Sequence, residues 1–311
     1  LGNIVNPMNE KYISDALNKS KFQKIPKVIN NNRKVFKTRE NNKLVVYTKK
    51  VLSLLIKKPF QNFHEPAFFD NSSKKRYRYA FESIKYFYNL NKIQEFYNKN
   101  TSKSLPSKDD AVLFLHYQPE ASTMPIGGRF SDQLLVFDLI IQSLPKGAYL
   151  YVKEHPSMFE IPGTLYQHRH ERSLEYYNYI LQNPKARLLA KSISSKDLVE
   201  KAGFIFSVCG SITWEAMNLG HAAIIFGHQW FSPCKSCYQV DSIDSIKKAM
   251  HCVHSKTKGQ VMIDVEEFLT ELKKRSIYGT SSTYSLPHVG KEYKYSIGVK
   301  NIACAISKMG E

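Results

Sequence analysis

Short apolar runs alternate with longer amphipathic stretches from residue 110 onward. Continuous apolar runs of this kind are typical of strands buried on both faces of a parallel sheet. The pattern predicts strands at 111–117, 148–153, 186–190, 204–208 and 222–226, and helices between them at 131–143, 173–181, 195–202 and 212–219. Strand and helix alternation of this length predicts one doubly wound α/β domain.

Residues 1–109 lack this alternation. The stretches 43–57 and 74–98 have helical periodicity, and residues 99–108 are polar and hold Pro106, as expected of a linker. Two further helices are predicted at 265–274 and 295–308. We therefore divide the chain into a basic helical region, 1–109, and a Rossmann-like domain with C-terminal helices, 110–311.

Composition excludes several classes of protein. With 42% hydrophobic and 13% aromatic residues, 311 residues can bury substantial cores, so a folded protein is expected. No apolar run approaches the roughly 18 to 20 residues that a spanning helix needs. The first residues do not have the regions of a signal peptide, and five cysteines fit a reducing compartment, so we expect a cytoplasmic protein.

The cysteines also raise the question of a metal. Cys234 and Cys237, followed by His251, Cys252 and His254, loosely resemble a zinc-binding pattern. The two histidines are closer together than in the usual finger, so we interpret these residues as ordinary thiols and imidazoles and predict no metal site.

The net charge of +18 is concentrated in the first third of the chain. Residues 1–110 hold 23 basic and 9 acidic residues, which gives +14 of the total. A surface of this kind attracts anionic lipid, nucleic acid or anionic glycan. The alternative is a general enrichment in Lys and Asn, which runs such as 30–32 support.

Polar residues follow the predicted strands, where ligands of an open parallel sheet bind. The groups are His116, Gln118, Glu120, Ser122 and Thr123 after the first strand, Glu154, His155 and Pro156 after the second, Gly210, Ser211 and Thr213 after the fourth, and Gly227 and His228 after the fifth. Four such groups at one end of a sheet predict a binding site there.

The Gly210-Ser211 turn has the features of a phosphate site. Glycine permits close approach, and the unpaired amides and dipole of the helix that follows favour an anion. Glu215, one turn along the helix, is placed to accept hydrogen bonds from ribose hydroxyls or a base. The alternatives are a plain strand-to-helix turn capped by Ser211 and a solvated Glu215.

Two segments resemble a known family. The sequences from Tyr151 to Pro156 (YVKEHP) and from Gly210 to Ala216 (GSITWEA) are similar to motifs in the donor domain of capsular-polysaccharide GT-B glycosyltransferases, among them Kdo transferases and bacterial sialyltransferases. The resemblance covers residues 110–240. It implies a GT-B-like fold, a CMP-activated acidic sugar as donor substrate and no cofactor. It also implies that His155 and Ser211 contact the nucleotide. From their positions beside these two residues, we expect Lys153, Pro156, Gly210, Thr213 and Glu215 to bind the nucleotide as well.

The resemblance does not extend to every motif. The sialyltransferase pair of carboxylates before a glycine is absent, and so is a full first Rossmann domain that would hold the acceptor. We therefore choose Glu120 and His116, at the end of the first strand, as the acid/base candidates. Arg172 and Ser122 are candidate phosphate or acceptor contacts, and Arg172 is equally interpreted as a surface or capping arginine.

The resulting hypothesis is a metal-independent glycosyltransferase. It transfers Kdo or a sialic-acid-like sugar to a surface polysaccharide or lipid-linked glycan, at the inner face of the membrane to which its basic first third binds. One alternative is transfer of glycerol phosphate from CDP-glycerol, because teichoic-acid polymerases carry a similar His-Pro motif. A non-catalytic nucleic-acid-binding protein is the other, and we disfavour it because the polar groups cluster in the less basic region.

Overall fold

The computed structural model describes residues 73–118, 123–159, 172–276 and 295–309. Its centre is a sheet of six strands whose pairs are all parallel, in the order β3-β2-β1-β4-β5-β6. The strands are β1 (Ala111–Phe114), β2 (Leu150–Lys153), β3 (Ala186–Leu188), β4 (Phe204–Ser207), β5 (Ala223–Ile225) and β6 (Cys237–Gln239). The order reverses direction between β1 and β4, as in a Rossmann-like fold.

Eight α-helices are described. They are α1 (Ser73–Lys99), α2 (Gln133–Ser143), α3 (Leu174–Gln182), α4 (Ser195–Lys201), α5 (Ser211–Asn218), α6 (Ile243–Ser255), α7 (Lys258–Arg275) and α8 (Tyr295–Met309). Short 3-10 turns occupy Gly128–Ser131 and Pro156–Phe159. Side-chain oxygens of Asp132, Ser173, Ser194, Ser242 and Thr257 cap five of these helices, which satisfies amides that the first turn leaves unpaired.

The sheet is buried on both faces. Ala111 and Leu113 of β1 join the larger hydrophobic core, with α2, α3, α6 and α7, whereas Val112 and Phe114 point into a second core with α4. Alternate residues of a strand face opposite sides, so a strand covered on both sides must be apolar throughout. This is why continuous apolar runs correctly indicated a doubly wound parallel sheet.

The C-terminal end of α1 belongs to the larger hydrophobic core. Leu90, Ile93 and Tyr97 are buried, and the Tyr97 hydroxyl donates to the carbonyl of Leu189 at 2.6 Å. Beyond α1, Ser102 forms a parallel bridge with Leu189 at the β3 edge. The stretch predicted as a free linker is therefore attached to the sheet, because its backbone groups pair with an otherwise open edge.

The described elements match most of the predicted ones, with ends that differ by up to three residues for the strands. The exceptions are β6 and α6, which the pattern missed, and α7, which begins seven residues earlier than expected at Lys258. β6 is short and only its first residue, Cys237, is buried. The predicted helix at 43–57 lies outside the described residues, and the division at residue 110 stays a prediction. Within the described ranges, no helix is both long and apolar enough to cross a bilayer.

Gly203 provides a test of the packing before β4. A Cβ at this position would lie 1.9 Å from the carbonyl oxygen of Lys108, a backbone atom in the turn before β1. We expect Gly203→Ala to lower the free energy of unfolding by about 2 kcal/mol or more, as overpacking does. The matched control is Gly259→Ala in α7, where the nearest atom is 4.0 Å away and alanine gains up to about 1 kcal/mol in helix propensity. Urea denaturation measures both, and equal midpoints for the two variants would contradict this packing.

His221, after α5, makes the stability depend on pH. Its buried Nε2 atom has no hydrogen-bond partner. Burial, with Lys258 and Lys108 nearby, lowers its pKa from 6.5 to about 4. Between these values the unfolded chain binds the proton and the folded chain does not, so the free energy of unfolding should fall as the pH drops from 6.5 towards 4. His221→Gln should make this slope smaller in urea denaturation at stepped pH. An identical slope in both proteins would exclude His221 as the cause.

Candidate functional site

His116 lies where the strand order reverses. It follows β1, and its Nε2 lies 3.0 Å from the Ser207 hydroxyl, at the end of β4, and accepts the Cys209 amide at 3.1 Å. Because the backbone amide can only donate, Nε2 is the acceptor in this arrangement. Its backbone is fixed as well, since the His116 amide donates to the Gln133 side chain of α2 at 2.8 Å. His116 thus joins the loops that follow the two central strands.

Gly210 is the N-cap of α5, and no side chain caps this helix. A Cβ on Gly210 would lie 2.7 Å from the Ser207 hydroxyl and 3.4 Å from the His116 ring. Only glycine therefore brings this turn so close to His116 without displacement. Ser211 is exposed at the first position of the helix, whereas the buried Thr213 directs its hydroxyl back to the Gly210 carbonyl at 2.7 Å.

Three loops meet in backbone contact beside this turn. The loop after β5 reaches the loop after β4, since the Gly227 amide donates to the Val208 carbonyl at 2.7 Å. A Cβ on Gly227 would lie 3.3 Å from the Gly127 Cα atom, in the loop after β1. Because neither glycine has a side chain, these three loops pack directly against one another at the carboxyl edge of the sheet.

The segment after β2 holds His155 at the same edge. The His155 amide donates to Oε1 of Glu154 at 2.7 Å, and its ring Nδ1 accepts the Ser157 amide at 3.2 Å. An acceptor at Nδ1 places the proton of the neutral ring on Nε2. The Tyr117 ring, from the loop after β1, lies 6.1 Å away between centroids. The imidazole is therefore oriented by its own backbone turn.

Arg172 is buried below this edge, with only 3% of its surface exposed. Its guanidinium donates to Glu154 Oε2 at 2.8 Å, to Gln118 Oε1 at 2.8 Å and to the His116 carbonyl at 3.0 Å. Burial lowers the pKa of Arg172, but Glu154 more than compensates, so the net shift is upward. A phosphate contact would require breaking this pairing, and the structure indicates that Arg172 positions the loops after β1 and β2.

Two tyrosines contact Glu154, Tyr177 at its carboxylate and Tyr97 at its backbone amide. The Tyr177 hydroxyl donates to Oε2 at 2.6 Å, and the Tyr97 hydroxyl lies 3.4 Å from the Glu154 amide. Burial, followed by the Glu154 charge, raises the pKa of Tyr177 well above its usual value, so this hydroxyl remains a donor. The carboxylate that precedes the His-Pro pair therefore has a structural environment that is buried and hydrogen-bonded throughout.

Lys153 points away from the turn at Gly210. Its ammonium group donates to the carbonyls of Ala190 and Lys191 at 2.8 and 2.9 Å, beyond the end of β3. Burial, and then the charge of Lys191, lowers its pKa to about 8. This lysine connects β2 to β3, and its role in nucleotide binding stays a prediction.

The predicted site residues thus fall into three sets. The structure bonds His116 to the Cys209 amide just before Gly210, with Ser211, Thr213 and the exposed Glu215 following on α5, and it places His155 and Pro156 at the same edge. Arg172 and Lys153 are buried and bonded to protein groups. Glu120 and Ser122 lie outside the described residues, so their roles stay predictions.

Several residues at this edge escaped the sequence analysis. Ser207 is the one polar residue of the apolar β4, which was a usable signal, since a polar group in a buried strand needs a partner. Gln133 gave no signal, because surface glutamines are common, whereas Gln118 is among the polar residues that the sequence places after the first strand. In the parts of the chain that the structure describes, no three His, Cys, Asp or Glu side chains are grouped so as to hold a metal ion.

No protein-family model matches the sequence, and no curated protein matches it. Its fold is similar to solved structures at low TM-scores. Methanocaldococcus jannaschii UDP-GlcNAc 2-epimerase, in complex with UDP-GlcNAc and UDP, is 15% identical over 61% of this chain and 53% of that one, with a TM-score of 0.34. Thermosulfurimonas dismutans KpsC, a beta Kdo 2,4 transferase, is 13% identical over 68% of this chain and 59% of that one, with a TM-score of 0.33.

This chain spans between half and three fifths of the length of these structures. Likeness at this level describes the arrangement of strands and helices and carries no conclusion about activity. The class that the sheet itself defines is a Rossmann-like α/β domain with polar groups gathered at the reversal of the strand order.

The bond between Tyr177 and Glu154 can be tested within one helix. Tyr177→Phe removes a buried hydrogen bond to a charged group, so the free energy of unfolding should fall by about 1.5 to 3 kcal/mol. Tyr179, two residues along α3, donates to Asp138 at 2.9 Å but is 45% exposed. Tyr179→Phe should therefore cost less than about 1 kcal/mol. Urea denaturation compares the two variants, and equal losses would show that burial of the carboxylate is not what matters.

Proposed function

We propose that this chain binds the nucleotide half of a CMP-activated sugar across the carboxyl ends of β2, β1 and β4. The reaction we propose is sugar transfer to a cell-surface polysaccharide or lipid-linked glycan, by a glycosyltransferase of the GT-B type. The observation that carries the proposal is the position of His155 and the Gly210 turn, which follow strands on either side of β1 and border one edge of the sheet.

The spacing of the strands supports a nucleotide in this place. Neighbouring strands lie about 4.8 Å apart, so the ends of β2 and β4 are separated by about 10 Å. A ligand that contacts His155 and Ser211 together must bridge this distance over β1. A nucleoside monophosphate has a base and a phosphate at its two ends, and it is long enough to do so.

The phosphate end belongs at α5 in this proposal. The helix begins at Ser211 without a side-chain cap, and its N-cap is a glycine on which a Cβ would lie 3.4 Å from the His116 ring. Amides in the first turn and the helix dipole favour an anion at this position. The exposed Ser211 hydroxyl adds a donor, and Glu215, one turn along the same helix, is placed to accept hydrogen bonds from ribose hydroxyls.

The leaving phosphate is stabilised by donors in this proposal, and no metal takes part. The α5 amides and the Ser211 hydroxyl are donors to the negative charge that develops as the sugar leaves, and His155 contacts the nucleoside end. His116 holds the Cys209-Gly210 turn in position. Glu120, outside the described residues, remains our choice for the carboxylate that deprotonates the acceptor hydroxyl. The basic first third is proposed to hold the enzyme at an anionic membrane surface.

Nucleotide binding tests this proposal directly. A ligand that binds only the folded state raises its melting temperature, so CMP or CDP should stabilise the chain more than UDP or GDP at equal concentration. His155→Ala should weaken CMP binding up to about tenfold in calorimetry, since it removes a hydrogen bond to the nucleoside. His251→Ala, at an exposed position of α6, is the control and should leave the affinity unchanged.

Two results would contradict the proposal. An affinity for CMP that His155→Ala leaves unchanged would separate the His-Pro segment from the nucleotide. Turnover of CDP-glycerol but not of a CMP-sugar, followed by product mass, would replace sugar transfer with transfer of glycerol phosphate.

A further inference from the structure

Four aromatic side chains form a cluster at the edge of the sheet beside α5. Trp214 lies 4.8 Å from Trp230 and 5.8 Å from Phe231, measured between ring centroids. Phe268 of α7 lies 6.0 Å from both tryptophans. Rings at these separations stabilise one another beyond the area that they bury, so the cluster forms a fixed surface.

The members of this cluster differ in exposure. Trp214 and Phe231 are buried, with 8% and 1% of their surface exposed, but Trp230 is 51% exposed. A tryptophan supported by three other rings, with half of its surface in water, retains a large apolar face without a protein partner in the described part of the chain. Exposed aromatic surface of this kind is typical of a ligand-binding position.

Trp230 is held beside the Gly210 turn by two separate links. The first link is Trp214, which follows Ser211 by three residues in α5 and whose ring contacts that of Trp230. The second link is Gln229, whose side-chain amide donates to the Cys209 carbonyl at 2.8 Å. The residue before Trp230 is therefore bonded to the residue before the N-cap.

Trp230 and His155 lie on opposite sides of the Gly210 turn. His155 follows β2, two strands from β4 on one side, whereas Trp230 follows β5, the neighbour of β4 on the other side. In the proposed function the phosphate is at this turn and the nucleoside extends towards His155. The group on the other side of the phosphate, which is the sugar, then extends towards Trp230.

We propose that the exposed face of Trp230 stacks on the sugar ring that the donor carries. The assignment rests on the proposed function and adds which side of the site receives the transferred group. A sugar ring presents C–H groups on its faces, which pack favourably on an indole ring, and its hydroxyls point outward. The exposed side chain of His228, two residues away, is a polar group within the same loop that is available to those hydroxyls.

The chain provides its own probe for this test. It contains two tryptophans, Trp214 and Trp230, and both are in the cluster, so tryptophan emission reports on this position alone. The ligands are CMP and CMP-N-acetylneuraminic acid, titrated separately into the full chain. We expect the sugar nucleotide to change the emission more strongly than CMP does, because only its sugar contacts Trp230.

The variants separate the sugar from the nucleotide. Trp230→Ala should weaken binding of the sugar nucleotide about tenfold, and Trp230→Phe, which keeps a smaller ring in the cluster, about threefold. Binding of CMP, measured by calorimetry, should stay within about twofold in both variants. Tyr149→Ala is the control: this tyrosine is 40% exposed but lies before β2, at the opposite edge of the sheet. It should change neither affinity.

Three other outcomes would contradict the proposal. Equal weakening of CMP and the sugar nucleotide by both Trp230 variants would assign this surface to the nucleotide and overturn the proposal. Unchanged binding of both ligands would overturn it as well. If the unsubstituted chain bound neither ligand, the proposed cytidine-nucleotide function would itself be wrong, and the assignment of Trp230 would fall with it.

Discussion

The buried guanidinium of Arg172 needs hydrogen-bond acceptors within the protein, and this requirement fixes the loops at the carboxyl edge of the sheet. A charged group removed from water is tolerated only when it is paired and hydrogen-bonded. Arg172 meets this condition by bonding to Glu154 after β2 and to Gln118 and the His116 carbonyl after β1. The loops after β1 and β2 are therefore held in one arrangement, and the positions of both His116 and His155 depend on it.

The polar network and the glycines have complementary functions at this edge. The network fixes the loops after β1 and β2 through side chains, whereas Gly127, Gly210 and Gly227 allow the loops after β1, β4 and β5 to meet through their backbones. The loops after β1 and β2 are therefore fixed by paired charges and hydrogen bonds. The loops after β4 and β5 are fixed by direct backbone packing at the glycines. The surface that remains for a ligand is bounded by both.

The strands were predictable from sequence because burial on two faces leaves a continuous apolar run, as in β1 and β4. β6 was not, since a three-residue strand at the sheet edge with one buried residue has no such run. The candidate residues near the strand ends were found by a second argument, that ligands of an open parallel sheet bind at the carboxyl ends of its strands. Arg172 and Lys153 show its limit: sequence gives the charge of a side chain, but only packing decides that both donate to protein groups.

The pairing of β1 with β4 has a consequence for the order of folding. Phe114 and Ser207 are neighbours in the sheet but far apart in sequence, and β2, β3 and their helices are synthesised between them. Closing so long a loop is slow, so the side of β1 that pairs with β4 stays unpaired until β4 has formed. On a ribosome that makes the chain from its N-terminus, this edge stays bare until β4 emerges. The contact between His116 and Ser207 therefore forms only after β2 and β3 have been made, and slow translation after β1 would prolong the aggregation-prone interval.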